Sequence, residues 1–250
     1  MIKALPLLSA TLLFVLPTTS FAVHFGKIIA ITLLLAENNL KAGRHAWYAF
    51  VFFLIVLVFS LFPLFHLWNP LVVPTMILAS IVLIYPRWFE GEHWLLRGNA
   101  TKASWLLTAL TVPLSAAALV GWAYITKPDL TLYANMTPGT GLGIIFMAAI
   151  TFSVFNALAE EIAFRGILWC ALEDVGLSQA VVIFFQAIAF GILHLGGVPS
   201  GLSGMGLAII YGLALGGIRY LSNGILMPVI VHFFADLTIF LIIMRLAGRW

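Results

Sequence analysis

Residues 141–172 read GLGIIFMAAITFSVFNALAEEIAFRGILWCAL. The run contains no proline, no strict alternation and only three charged residues, Glu160, Glu161 and Arg165. As one straight helix it would measure about 48 Å, against a hydrocarbon core of about 30 Å. It must therefore tilt, project from the bilayer or break, and the bend is expected before Glu160, near Asn156. Comparable apolar runs lie at about 46–66, 70–85, 104–126, 179–195, 205–221 and 225–245, each a predicted membrane helix. A transmembrane barrel would instead alternate in short strands. The expected fold is all-α: a polytopic transmembrane helical bundle of about 7–8 membrane helices.

Composition agrees. The 250-residue chain is 63% hydrophobic and 8% charged, where an average soluble domain carries roughly 25% charge. The net charge is +3, and the basic residues lie mostly between apolar runs, as membrane helices place them. The lipid bilayer is thus the expected partner, and nucleic acid is not. Cys170 is the single cysteine, which excludes an intrachain disulfide and a cysteine-based zinc site. A buried, inert thiol is the better reading of it than a nucleophile, because no pattern pairs it with a base.

The chain divides into an N-terminal stretch 1–36, membrane helices with interfacial loops over 37–140, and a C-terminal core over 141–250. The first stretch opens MIKALPLLSATLLFVLPTTSFA. It reads either as a cleavable signal peptide or as a first membrane segment interrupted by Pro17, His24 and Lys27. The connection 86–103 is charged and suits an interfacial loop, and 127–140 is a polar loop. Residues 196–206, GGVPSGLSGMG, lack the lysine of a phosphate cradle and read as a flexible or re-entrant connector. Gly212 and Gly216 form a G-x-x-x-G pattern suited to helix packing inside the molecule. Connections 37–45, 86–103, 173–178 and 219–224 hold Lys41, Arg44, Arg87, Arg97, Lys102 and Arg219. The opposite side holds Lys3, Lys127, Arg245 and Arg249, so the first set is expected to be cytoplasmic.

Six ionisable residues fall within apolar segments: Glu160, Glu161, Arg165, His194, His232 and Asp236. Charge at membrane depth costs several kcal/mol unless paired or hydrated, which makes each a functional candidate. Glu161 and Arg165 are four apart and share a helical face, so they can pair. Glu160 lies about 100° away round the helix and keeps the less compensated charge, as a general acid or base requires. An isolated E-x-x-x-R would read first as a structural ion pair. His194 follows Phe190 by one turn, and Gly191 lets another helix approach; alone, it would read as an interfacial histidine. His232 and Asp236 share a face, where a carboxylate can fix the imidazole tautomer. Together a carboxylate and an imidazole can hold and deprotonate a water, while a second imidazole donates to the developing oxyanion.

The order Glu160-Glu161-Ile162-Ala163-Phe164-Arg165, then Phe190-Gly191-Ile192-Leu193-His194, then His232-Phe233-Phe234-Ala235-Asp236 resembles the CPBP family. These are the CAAX-processing and bacteriocin-processing membrane proteases, also called the Abi family. The resemblance covers roughly 141–245. It implies an intramembrane endopeptidase in which Glu160 is the general base, His194 helps hold the water, and His232 with Asp236 serves the oxyanion. Glu161, Arg165 and Phe190 are supporting residues. Some members carry Asn at the last position. A carboxylate cannot donate to an oxyanion, so His232 is the expected donor and Asp236 the group that orients it.

A His2Glu zinc set of Glu160, His194 and His232 is the alternative to a metal-free enzyme. The family lacks H-E-x-x-H, and metal-free, glutamate-dependent chemistry is the expectation. The implied substrates are membrane proteins, lipidated proteins or peptides. Eukaryotic members resemble proteases that remove the last three residues after prenylation, and prokaryotic relatives are associated with bacteriocin maturation or self-immunity. The short chain suits a prokaryotic cell (inner) membrane. A transporter or proton relay would use similar residues but predicts inverted repeats, and the sequence has none. A non-catalytic scaffold or immunity protein would use the polar cluster for packing alone.

Overall fold

The computed structural model describes residues 4–16, 21–38, 44–59, 61, 71–85, 87, 94–135, 141–246 and 248. Among these the chain is helical and contains no strand. In order the helices are α1 (Leu5–Val15), α2 (Phe21–Asn38), α3 (Arg44–Phe59), α4 (Val72–Ile84), α5 (Lys102–Thr126) and α6 (Thr131–Asn135). After these come α7 (Leu142–Glu161), a π-helical stretch Ile162–Leu168, α8 (Trp169–Asp174), α9 (Gln179–Leu193), α10 (Gly201–Ser222) and α11 (Leu226–Leu246).

Among the described residues four helices are long and apolar enough to cross a membrane: Lys102–Thr126, Leu142–Asp174, Gly201–Ser222 and Leu226–Leu246. Helices α1, α3, α4 and α9 are apolar but shorter. At 15 residues, α9 reaches only about 22 Å. The long helices turn apolar rows outward: Leu142, Phe146 and Ile150 recur every fourth residue on α7 at 73%, 65% and 38% exposure. Such a row is costly in water and ordinary against lipid tails. This is a helical membrane bundle.

Several hydroxyls within the bundle bond back to carbonyls one turn earlier, as Ser153 does to Ala149 and Ser222 to Ile218, which lowers the cost of placing them among apolar side chains. Helix α5 starts at a capping box, in which the Ser104 amide donates to the Thr101 hydroxyl at 3.0 Å and the Thr101 amide to the Ser104 hydroxyl at 2.8 Å.

The core is built around α7, the π stretch, α9, α10 and α11. Glycines set the closest approach. A Cβ on Gly191 would stand 2.9 Å from the Met205 carbonyl oxygen, and one on Gly212 would stand 3.0 Å from the Ala187 Cα. Backbone therefore meets backbone where α9 crosses α10, and the G-x-x-x-G face is spent inside the molecule, as its pattern predicts. Helices α1 and α2 pack on one another, with α1 against α9 and α2 against α3.

Three expectations need correction. The irregularity of the long segment follows Glu160 instead of preceding it: α7 is regular through Asn156, and the chain widens into a π-helix at Ile162–Leu168. The widening loosens the Arg165 carbonyl from the ordinary α ladder, and Arg219 Nε donates to it at 3.0 Å. Arg219 is accordingly 3% exposed, with its guanidinium 5.2 Å from the Trp169 ring. It is a core residue and drops out of the count of interfacial cations. Finally, residues 201–206 are the first turns of α10, entered from an extended Ser200, instead of a connector. Of the connection 86–103, residues 86 and 88–93 lie outside the described residues. Trp94 is buried, and a Cβ on Gly166 would stand 2.8 Å from its carbonyl oxygen.

Candidate active site

Glu160 and Glu161 close the last turn of α7, and both are buried. Their positions one apart give them different neighbours. Glu161 Oε1 accepts from Arg165 Nη1 at 2.9 Å and from His232 Nδ1 at 2.7 Å. The i,i+4 pair expected from spacing is therefore present, and α11 is tied to it. Arg165 also donates to the Gly212 carbonyl at 3.3 Å and lies 4.7 Å from the Phe190 ring centroid. A guanidinium held by a carboxylate, a carbonyl and a π face can remain buried.

Glu160 turns to the other edge of the same imidazole. Its Oε2 lies 3.5 Å from His232 Nε2, and its Oε1 accepts from Asn156 Nδ2 at 3.4 Å. The Asn156 amide also reaches both Asp236 oxygens at 3.2 Å. One amide thus lies between two carboxylates, which lowers the cost of placing them side by side. The partner that orients His232 differs from the expectation. Asp236 stands 3.8 Å from Nε2, beyond hydrogen-bond distance, whereas Glu161 Oε1 accepts a hydrogen bond from Nδ1 at 2.7 Å. The reason is geometric: one imidazole edge points at α7, and Asp236 is drawn to Asn156.

His194 caps the end of α9, where Nδ1 bonds the Phe190 carbonyl at 2.8 Å. A carbonyl only accepts, so Nδ1 carries the proton and Nε2 of the neutral ring is an acceptor. The Phe190 ring lies against both imidazoles, 4.5 Å from His194 and 5.8 Å from His232 between centroids. Phe164 meets it edge-on at 5.3 Å. Glu160, His194, His232, Asp236 and Asn156 all line one cavity of about 1220 Å³ whose walls are otherwise largely apolar. Cys170 is buried and does not line it.

Of the sequence-predicted residues, Glu160, Phe190, His194, His232 and Asp236 line this cavity and Glu161 and Arg165 do not; Glu160 and Asp236 each lie within 4 Å of His232 Nε2. Asn156 and Tyr211 join them unannounced. Tyr211 lines the same cavity and sets its ring edge-on to His232 at 5.7 Å. Zinc would need three ligands meeting at about 2 Å each. Among the described residues no group of three His, Cys, Asp or Glu side chains is arranged to hold a metal ion.

Residues 141–238 match the family model described as type II CAAX prenyl endopeptidase Rce1-like. This segment is similar to that family over 98 of the 250 residues. The matched segment runs from the start of α7 into α11 and contains all three motifs. The family is one of membrane proteases, and the helical bundle that carries the segment is an integral membrane one. No curated protein and no solved structure matches the chain. Helices α1–α6 thus stand outside the Rce1-like match, although residues of α1, α2 and α5 line the cavity with it.

Proposed function

We propose that the protein is an intramembrane endopeptidase of a prokaryotic cell membrane. It cuts a peptide bond near the carboxyl end of a membrane-anchored, lipidated protein or peptide. The observation that carries this reading is the meeting of Glu160 with His232 in an apolar cavity that His194 and Asp236 also line. A carboxylate and imidazoles facing a large, mostly apolar space suit a polar scissile bond attached to an apolar group.

In this reading a water held by Glu160 and His194 Nε2 attacks the scissile carbonyl carbon, and its proton passes to Glu160. The new oxyanion accepts from His232 Nε2, with the ring protonated on both nitrogens and anchored through Nδ1 to Glu161. The C–N bond then breaks as the proton on Glu160 moves to the leaving amine. The products are a carboxylic acid and an amine, which ionise to the carboxylate and the ammonium as the acid's proton passes to the amine. No step requires a metal. Asp236 and Asn156 hold Glu160 in place and do not contact the substrate.

The test is cleavage of a farnesylated carboxyl-terminal peptide in proteoliposomes by wild type, Glu160→Gln, His194→Ala and His232→Ala, with and without a chelator. Glu160→Gln is expected to lower kcat by about 10³-fold or more while the protein stays folded. The chelator should have no effect. Unchanged cleavage in all three variants would end the proposal, and chelator sensitivity would restore the zinc alternative.

A further inference from the structure

The cavity is not lined by the Rce1-like segment alone. Helix α2 contributes Lys27 and His24, and the end of α1 contributes Phe14, Val15 and Leu16. Lys27 is 6% exposed, and its ammonium donates to the carbonyl of Leu16, the residue that follows α1. An ammonium has three donors, and a carbonyl brings no full negative charge. Among the described residues no carboxylate pairs with Lys27. Lys27 is also the one lysine or arginine among the described residues lining the cavity. Arg165, the nearby cation, is spent on Glu161 and the Gly212 carbonyl.

A buried cation in a largely apolar cavity without a counter-charge is expensive. Tying α2 to the end of α1 does not require it, since a neutral donor would serve that carbonyl as well. The cavity therefore has electrical polarity. Glu160 and Asp236 repel an anion, and Lys27 attracts one. A peptide cut near its carboxyl end presents one anion, its terminal carboxylate. We propose that Lys27 receives that terminal carboxylate, so that the chain end points toward α2 and the scissile bond toward Glu160. This deepens the endopeptidase reading and rests on it. It makes the N-terminal hairpin the part that distinguishes a chain end from an internal peptide bond.

The experiment compares one farnesylated peptide as its free acid and as its carboxyl-terminal amide. Wild type, Lys27→Gln, Lys27→Arg and Glu160→Gln are assayed in phosphatidylcholine vesicles, with and without phosphatidylglycerol. Wild type is expected to favour the acid by about tenfold to a hundredfold in kcat/KM, the range of a charge-assisted hydrogen bond. Lys27→Gln keeps a donor for Leu16 and should cleave both peptides at the slower amide rate, and Lys27→Arg should restore the preference.

Equal cleavage of acid and amide by wild type, with Glu160→Gln inactive, overturns this inference and leaves the endopeptidase reading standing. So does an acid preference that survives Lys27→Gln. An effect of Lys27 that appears only with phosphatidylglycerol, equal for both peptides, assigns the site to a lipid phosphate and overturns it too. Cleavage of neither peptide by wild type removes the reading beneath it. Should Lys27→Gln not fold, Lys27→Arg and the wild-type comparison with added free acetate decide. Acetate at saturating level should slow acid cleavage and leave amide cleavage unchanged, and equal slowing of both overturns the inference.

Discussion

The polar cluster on α7 and α11 and the hairpin α1–α2 solve the problem of buried charge in opposite ways. In the cluster, Glu161 bonds two cationic or polar partners and Asn156 bridges two carboxylates. Arg165 has a carboxylate, a carbonyl and an aromatic face. These bonds hold the groups to one another, where bond making demands fixed geometry. In the hairpin, Lys27 has one carbonyl. Interlocked charges hold a site in shape, and a charge left open is available to something that arrives. The difference separates positioning from recognition within one cavity.

The largest expected effect tests the interlocking. Arg165→Met leaves Glu161 buried beside His232 without its cation, and breaking a buried pair from one side costs about 3–5 kcal/mol. The measurement is thermal unfolding in detergent, where Arg165→Met should fall well below wild type and Lys27→Gln should not. Combining Glu161→Leu with Arg165→Met removes both charges and should recover much of the stability. Cleavage should stay lost, because His232 Nδ1 then lacks its acceptor. If the double variant cleaved normally, Glu161 would have no part in setting the imidazole.

The second test concerns how His194 is held near the cluster. Gly191 lies one turn before it at the α9–α10 crossing, where a Cβ would stand 2.9 Å from the Met205 carbonyl oxygen. Gly191→Leu must push the helices apart. The overpacking is expected to cost about 1–3 kcal/mol and to lower kcat through displacement of His194. Gly143, whose Cβ would meet nothing within 4 Å, is the control: Gly143→Leu should leave both unfolding and cleavage near wild type. Equal effects of the two substitutions would mean that the crossing does not position the site.

The pairing of Glu161 with Arg165 was legible because four-residue spacing alone sets it. So was the inward face of the G-x-x-x-G pattern. What remained illegible depends on contacts between distant segments. Asn156 meets Asp236 across 80 positions, and a lone asparagine in an apolar run carries no sign of that. The i+4 spacing of His232 and Asp236 suggested that they partner each other, yet the stronger acceptor came from α7. The π stretch at Ile162–Leu168 lacks a sequence signature, and without it the burial of Arg219 could not be foreseen. Lys27 read as an interruption in an apolar run, and only the cavity gives it a setting.

The smallest effect sets a water-exposed carboxylate against those in the cavity. Asp129, before α6, accepts from the Thr131 amide at 3.0 Å. The Thr131 hydroxyl and amide hold its carboxyl below the ordinary carboxylate range, against a smaller opposing effect of desolvation. A carboxyl with a lowered folded pKa contributes stability that is present above its unfolded pKa and is lost as pH falls through the folded one. Amide exchange over Thr131–Asn135 should therefore speed up in wild type once pH drops below the ordinary Asp range of about 3.9, relative to helices without such a cap. Asp129→Ala should show faster exchange already at neutral pH and no further step on acidification. Its thermal unfolding should match wild type, and its cleavage should change by no more than about twofold, as for a surface substitution. Tyr133 of α6 lines the cavity, so a larger loss of cleavage in this variant would extend substrate contact beyond α1–α2 to a second element outside the Rce1-like segment.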